Sequence, residues 1–229
     1  MKRKVAIIAA HPDDEVLGCG GTIARHIQEH DEVYVLIVAE GVTSRDGARD
    51  RESRKDDLSA LAQSAYRANE ILGTTSLTIG DLPDNRLDTI SLLDLVKQVE
   101  TFLAKHKPQI VYTHHAGDVN IDHKILHRAV VTACRPVPNQ CVQTLLFFET
   151  VSSTEWQTRG SGDFFMPDWF VDISKSVDKK ITALQAYESE MRDWPHPRSI
   201  KAVEHLAFWR GATAGFGAAE AFVLGRHIR

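Results

Sequence analysis

The chain predicts an α/β fold, a Rossmann-like and mostly parallel sheet with helices on both faces, in one domain over residues 1–229. Three observations carry this. Short, continuous apolar runs rich in β-branched residues ("KVAIIAA", "EVYVLIVAE", "QIVYTH") have the length and composition of strands buried on both faces. Segments with helical spacing of apolar residues separate them. Strand and helix alternate along the first two thirds of the chain, which is the pattern of a parallel sheet.

In chain order, "KVAIIAA" is the first strand and residues 15 to 30 the helix behind it. "EVYVLIVAE" is the second strand, followed by a helix over about 50 to 72. Asp50 or Ser53 could begin that helix, and Gly73 stands where a glycine stop belongs. "SLTIG" and "TLLFFET" read as further strands, with helices expected near 91 to 106 and 123 to 134. From about residue 151 the pattern is less regular, and this part reads as an elaboration of the same domain. It ends in two expected helices, near 174 to 191 and 198 to 213.

Composition narrows the functional classes. The 229 residues are 43% hydrophobic and 25% charged, with a net charge of −4 and no long basic run. Nucleic acid is therefore not expected as a partner, because phosphate contacts need clustered Lys and Arg. The apolar runs are far shorter than a membrane span. The opening "MKRKVAIIAA" has the charge order of a signal peptide, but its apolar part is short and leads into HPDDE without a cleavage-like site. Cys19, Cys134 and Cys141 cannot all pair and lack metal-ligand spacing, so a reducing, cytoplasmic setting is expected.

In sheets of this kind the ligand site forms outside the carboxyl ends of the strands. The segments there are HPDDE, "EGVTSRDGARDR", "DLPDNRLD", "HAGDVNIDH" and "VSSTEW". HPDDE is the most pointed of them. Its adjacent acids Asp13, Asp14 and Glu15 repel one another unless a cation sits among them. Pro12 biases His11 towards extended backbone and ends the strand there. His11 and Asp14 lie three apart across the turn and can reach one ion, leaving Asp13 beside it for proton transfer. The glycines at 18, 20 and 21 let the first helical turns approach other backbone or a ligand.

A third ligand comes most simply from "HHAGDVNIDHKILH", where His123 follows Asp122 at a helix start. A His–Asp–His set with open positions suits hydrolytic zinc. His123 and His127 also lie four apart on one helix face, as in helical metalloproteases, but Lys124 stands where that motif needs glutamate. Of His114 and His115 at the strand end, one is expected to face the site. HPDDE could also be only an acidic helix start, favoured by the helix dipole. "GCGGT" lacks dinucleotide-binding spacing, and no G-x-S-x-G elbow is present.

These pieces together resemble the PIG-L/LmbE-like family of zinc-dependent N-deacetylases. The matching stretches are "AAHPDDEVLGCGGTIA", "GVTSR", "LPDNRLD", "NIDHKILHRAV" and "GATAGFGAAEAFVLGR", in order along nearly the whole chain. The resemblance implies zinc on His11, Asp14 and His123, with Asp13 as general base. It also implies an N-acetylglucosamine-type conjugate as substrate, a small molecule. Many members carry HPDH where this chain has NIDH, so Asn120 stands in place of a histidine. If that histidine holds the oxyanion or shuttles protons, His115, His196 of "DWPHPRS" or an arginine must serve instead.

Asp122 is expected to orient a histidine from behind the metal. Arg45, Asp84 and Arg86, with Ser44, Asn85 and Asp88 on the same loops, are the expected sugar or phosphate contacts. Trp156 and Trp194 are candidates to stack on a sugar ring. Two other readings stay open: a non-haem iron oxygenase built on the same His–Asp–His set, and a non-catalytic sugar-binding module. The sequence leaves open whether the protein is a homo-oligomer.

Overall fold

The computed structural model describes residues 2–158, 160 and 163–228. One seven-stranded sheet runs through it, in the order β3-β2-β1-β4-β5-β7-β6. The strands are β1 (Lys4–Ala9), β2 (Glu32–Ala39), β3 (Ser76–Leu82), β4 (Ile110–His114), β5 (Thr144–Phe148), β6 (Trp169–Asp172) and β7 (Ala219–His227). The helices are α1 (Asp14–Gln28), α2 (Lys55–Leu72), α3 (Leu92–His106), α4 (Ile121–Ala133), α5 (Val177–Gln185) and α6 (Ile200–Ala214). The first five strands pair in parallel, and β7 lies antiparallel between β5 and β6.

β1 shows why both faces are covered. Val5, Ile7 and Ala9 point to one side and Ala6, Ile8 and Ala10 to the other, and all six are fully buried. The first set packs on α1, α2, α5 and Val203 of α6. The second packs on α3 and α4. Strand order reverses direction at β1, which pairs with β2 on one side and β4 on the other. The loops leaving β1 and β4 therefore diverge, and a crevice opens between them at the carboxyl edge.

The expected helix over 50 to 72 begins later, at Lys55, and Gly73 ends it in the left-handed conformation at φ 86°. The expected helix over 174 to 191 is only the nine residues Val177–Gln185, followed by turns. The larger difference is β7 and β6, two strands that the sequence pattern did not announce. β7 opens with Ala-Glu-Ala, a poor strand sequence by composition. Tertiary contacts decide it. Glu220 is buried, accepts the amides of Gly21 and Thr22 at 3.0 and 2.7 Å, and pairs with the buried Lys180 ammonium at 2.6 Å. Lys180 also donates to the Leu17 carbonyl at 2.7 Å. The C-terminal strand is thus bonded to the middle of α1.

The glycines of α1 serve close packing against protein. A Cβ on Gly18 would lie 2.4 Å from Cδ2 of Phe148, which is fully buried on β5. Gly18→Ala should therefore destabilise by about 1–3 kcal/mol through overpacking, read as a fall in thermal midpoint; an unchanged midpoint would show that α1 has room to move. Lys180→Met, which strands the Glu220 carboxylate, should cost about 3–5 kcal/mol in denaturant unfolding. A loss under 1 kcal/mol would mean that the pair contributes little to holding β7.

Candidate metal centre

HPDDE leaves β1 and turns into α1. Asp13, the residue before the helix, has φ 111°, a conformation rare outside glycine. Its surroundings hold it there. Its amide donates to Glu15 Oε2 at 3.1 Å, and its carbonyl accepts the Val16 and Leu17 amides at 3.0 and 2.9 Å. Arg198 Nη1 donates to its Oδ2 at 2.6 Å. Glu15 is held in turn by the Tyr187 hydroxyl at 2.6 Å and Asn69 Nδ2 at 3.0 Å. Burial raises the Glu15 pKa to about 7, against the opposing Tyr187 hydrogen bond.

Asp14 is fully buried. Its Oδ2 accepts the His11 amide at 2.9 Å and lies 3.3 Å from His11 Nδ1 and 3.2 Å from His123 Nε2. Burial alone would raise its pKa, but the surrounding imidazoles outweigh it and hold the carboxyl well below the usual range.

The second half of the site follows β4. His114 is fully buried, and its Nε2 lies 2.9 Å from the Ala10 amide, accepting that hydrogen. Its Nδ1 is 3.3 Å from Thr150 Oγ1, and its ring stacks on His123 at 3.8 Å. Asn120 caps α4 by accepting the Asp122 and His123 amides at 2.8 and 3.4 Å. That cap aims the first turn of α4 into the crevice. Asp122 Oδ2 lies 3.0 Å from His11 Nε2, while its two oxygens accept the Asn85 and Leu87 amides. Asp118 Oδ2 lies 3.2 Å from His123 Nδ1. Ser153 and Thr154 hydroxyls donate to Asp118. Burial opposes ionisation of Asp118, but the nearby His123 imidazole and the Ser153 and Thr154 hydroxyls prevail and bring its pKa to about 2. Burial likewise opposes the His123 imidazolium, and Asp14 and Asp118 override it, raising the pKa to about 9.

The donor set fits a divalent cation. One ligand atom each from His11, Asp14 and His123 lies within 4.8 Å of the others. Asp14 Oδ1 is buried with no hydrogen-bond partner, and the two ring nitrogens of His123, buried 3.2 Å from the Asp14 and Asp118 carboxylates, do not meet hydrogen-bond geometry. Two imidazoles and one carboxylate match the ligand preferences of zinc. Each imidazole presents one nitrogen to Asp14 and the other to a second carboxylate, Asp122 for His11 and Asp118 for His123, an arrangement that fixes ring orientation at metal sites. His11, Asp84 and Asp122 form another such group around the same imidazole. A third, His26, Glu29 and Asp31, has its carboxylates already bound by Arg3 and Arg25.

Above the cluster lies a mostly polar cavity of about 250 Å³, lined by His11, Asp13, Ser44, Arg45, Asp84, Asn85, Asn120, Glu190, Arg192 and Arg198, with Pro12, Val42 and Leu61 among them. Of the residues expected from sequence, His11, Asp13, Asp14, Asp84, Asp122 and His123 gather here, with Arg45 and Asn120 on the wall. Three do not. His115 Nε2 faces the Asp163 carbonyl at 3.1 Å and its ring lies edge-on to Phe165; its neighbour His114 is the one turned into the cluster. His196 accepts the Arg198 amide at 3.0 Å and meets the edge of Trp156. Arg86 donates to the Gly47 carbonyl at 3.3 Å and ties two loops together.

Asp84, expected at the sugar, is 4% exposed and turned onto His11 Nε2 at 3.3 Å. Trp194 is about half exposed and packs beneath Lys201. Arg198 and Asp118 were not singled out by sequence. Asp118 lies inside the quoted "HAGD" stretch. Arg198 meets Asp13 across 185 positions, a separation that no local pattern encodes.

The family model described as "PIG-L: GlcNAc-PI de-N-acetylase" matches residues 6–134, more than half of the chain. The chain belongs to this family. A relative named "Uncharacterized deacetylase YaiS" from Escherichia coli (strain K12) is 29% identical over 195 residues, 82% of this chain and 92% of its own length. Diacetylchitobiose deacetylase from Thermococcus kodakarensis is 26% identical over 82% of this chain and 70% of its own length. The solved structure of GalB, the 4-carboxy-2-hydroxymuconate hydratase from Pseudomonas putida KT2440, shares the fold at TM-score 0.77 and 22% identity, over 98% of this chain and 96% of its own.

Replacing Asp14 or His123 by Ala should abolish stoichiometric binding of zinc by the purified protein. Asp118→Asn should weaken affinity by about 10- to 100-fold, as loss of a carboxylate behind a ligating imidazole does. Titration against a competing chelator reads both. Full zinc occupancy in the His123→Ala protein would remove His123 from the ligand set.

Proposed function

We propose that the protein is a metal-dependent hydrolase that removes the acetyl group from an N-acetyl amino sugar conjugate. The observation that carries this reading is Asp13: it adjoins the His11–Asp14–His123 cluster, is absent from it, and opens into the polar cavity. A carboxylate so placed can take a proton from water and return it to a leaving amine. Membership of a de-N-acetylase family and relatives named as deacetylases of N-acetyl sugars support the same chemistry. The fold alone does not decide it, since a hydratase shares it.

His11, Asp14 and His123 would hold the ion, and zinc fits that donor set. When bound, the ion supplies Lewis acidity towards water and towards the acetyl carbonyl. The remaining work belongs to the chain. Burial pushes the Asp13 carboxyl well above its usual range, against the Arg198 guanidinium, which favours a carboxylate able to accept a proton. Asp122 and Asp118 fix the two imidazoles. Arg45, Ser44, Asn85 and Asn120 supply polar groups for hydroxyls of a sugar. The open, mostly parallel sheet speaks against the oxygenase reading, whose usual frame is a β-barrel.

Zinc-loaded protein should release acetate from N-acetylglucosamine conjugates, measured against N-acetylated simple amines on the same preparation. Asp13→Asn should retain zinc and lose at least about 10²-fold in turnover. Hydration of an unsaturated dicarboxylate with no acetate release from any amino sugar would replace this reading with the hydratase one, and wild-type turnover by Asp13→Asn would remove the proposed base.

A further inference from the structure

Hydrolysis of an amide puts negative charge on the carbonyl oxygen, and a fixed donor aimed at that oxygen is worth about 10²–10³-fold in rate. The side chain at position 120 is neutral and largely engaged. The Asn120 carbonyl oxygen caps α4, and one of its two Nδ2 hydrogens goes to Asn85 Oδ1 at 2.9 Å.

We propose that Arg198 is a catalytic residue whose guanidinium stabilises the oxyanion formed from the acetyl group. The inference rests on the deacetylase reading above and goes beyond it by naming the donor.

The geometry supports it in three ways. Arg198 Nη1 sits on Asp13 Oδ2 at 2.6 Å and its Nε donates to Ser152 Oγ at 2.8 Å, so the guanidinium plane is held at two points beside the base. Nη2 has no hydrogen-bond partner among the described residues, and Arg198 lines the same cavity as His11 and Asp13. The backbone is also fixed: the Arg198 amide donates to His196 Nδ1 at 3.0 Å, its carbonyl accepts the Arg192 amide at 3.3 Å, and the next residue, Ser199, caps α6 by accepting the Ala202 amide. A donor held this way needs little rearrangement as charge develops.

Neither of the other two arginines of the cavity bonds to Asp13: Arg45 donates to Glu190 Oε1 at 2.7 Å, and Arg192 to the carbonyls of Ser189 and Met191. The His114 Nε2 lone pair is taken by the Ala10 amide.

The pairing with Asp13 couples charge to proton transfer. As the water oxygen forms its bond to the carbonyl carbon, its proton passes to Asp13 and the carbonyl π pair moves onto oxygen. Asp13 thereby loses its charge at the moment the oxyanion gains one, and the Arg198 field shifts from the first to the second. Collapse re-forms the carbonyl, breaks the C–N bond with its electron pair on nitrogen, and returns the Asp13 proton to that nitrogen. Acetic acid and the free amine result, and the acid then gives its remaining proton to the amine or to solvent, leaving acetate.

The test compares zinc-loaded wild type, Arg198→Ala, Arg198→Lys and Asp13→Asn. Arg198→Ala should lose about 10²-fold or more in kcat, with KM within about threefold and zinc content unchanged. Guanidinium ion at millimolar concentration should restore part of that turnover to Arg198→Ala and none to Asp13→Asn. Calorimetry with methylphosphonate, a tetrahedral anion, should show binding at least about tenfold weaker in Arg198→Ala than in wild type, in keeping with a charge-assisted pair. Should Arg198→Ala not fold, Arg198→Lys carries the test: charge kept and fork lost, its kcat should still fall about tenfold. Acetate release by wild type with unchanged kcat and methylphosphonate binding in the Arg198 variants overturns the inference alone. No acetate release by wild type overturns the deacetylase reading, and the role of Arg198 with it.

Discussion

A carboxylate with no exposure to water is the constraint around which the crevice is built. Burying Asp14 would ordinarily drive it to the neutral form. Instead three imidazoles converge on it, from His11, His114 and His123. Two of them come from the other side of the crevice, His114 from the end of β4 and His123 from the first turn of α4. The reversal of strand order at β1 is therefore more than a topological feature. It brings donors separated by over a hundred positions to one point, and an ion there would meet the orphaned oxygen of Asp14 and the Nε2 of His123.

The three successive acids of HPDDE meet three different environments, which is how a run of like charge is tolerated. Asp14 faces imidazoles and is held strongly acidic. Asp13 faces Arg198 and the cavity. Glu15 turns inward to Tyr187, Asn69 and the Asp13 amide, and burial brings its pKa to about 7. A local twist separates them. Asp13 sits at φ 111°, its carboxylate meets Arg198, and Glu15 accepts its amide. Strain at a functional position persists when its surroundings over-determine it, and Asp13 is bonded through its amide, its carbonyl and its carboxylate.

Legibility in the sequence followed the range of the interaction. The parallel strands were readable because a strand buried on both faces is continuously apolar, as in Lys4–Ala9. His11 and Asp14 were readable because they meet across a three-residue turn. His123 could be reached only by assuming that two loops converge at one sheet edge, and the sheet order does bring those loops together. Choosing between His114 and His115 needed the phase of β4, which two adjacent histidines do not disclose. Arg86 and His196 carry the right chemistry on the right segments, yet they bond to loops. β7 was hidden for a related reason: Glu220 belongs in a strand only once Lys180 and the amides of α1 are there to receive it.

The C-terminal third, irregular as a pattern, supplies the parts of the site that the alternating strands and helices cannot. The carboxyl ends of parallel strands present turns and helix starts, which suit anions and ligating side chains, and the crevice gathers Asp13, Asp14, Asp84, Asp118 and Asp122 there. Those ends bring one cation to the cavity wall, Arg45, and the others come from elsewhere. Arg192 and Arg198 arrive on the connection between α5 and α6, as does Glu190, which engages Arg45 from the opposite wall. That connection is fixed at both ends: Tyr187 is bonded to Glu15, and Ser199 caps α6. β7 bonds the same third to the middle of α1 through Glu220 and Lys180. The elaboration is therefore anchored to the helix that HPDDE begins, so the position of Arg198 over Asp13 is set by the same element that positions Asp13 itself.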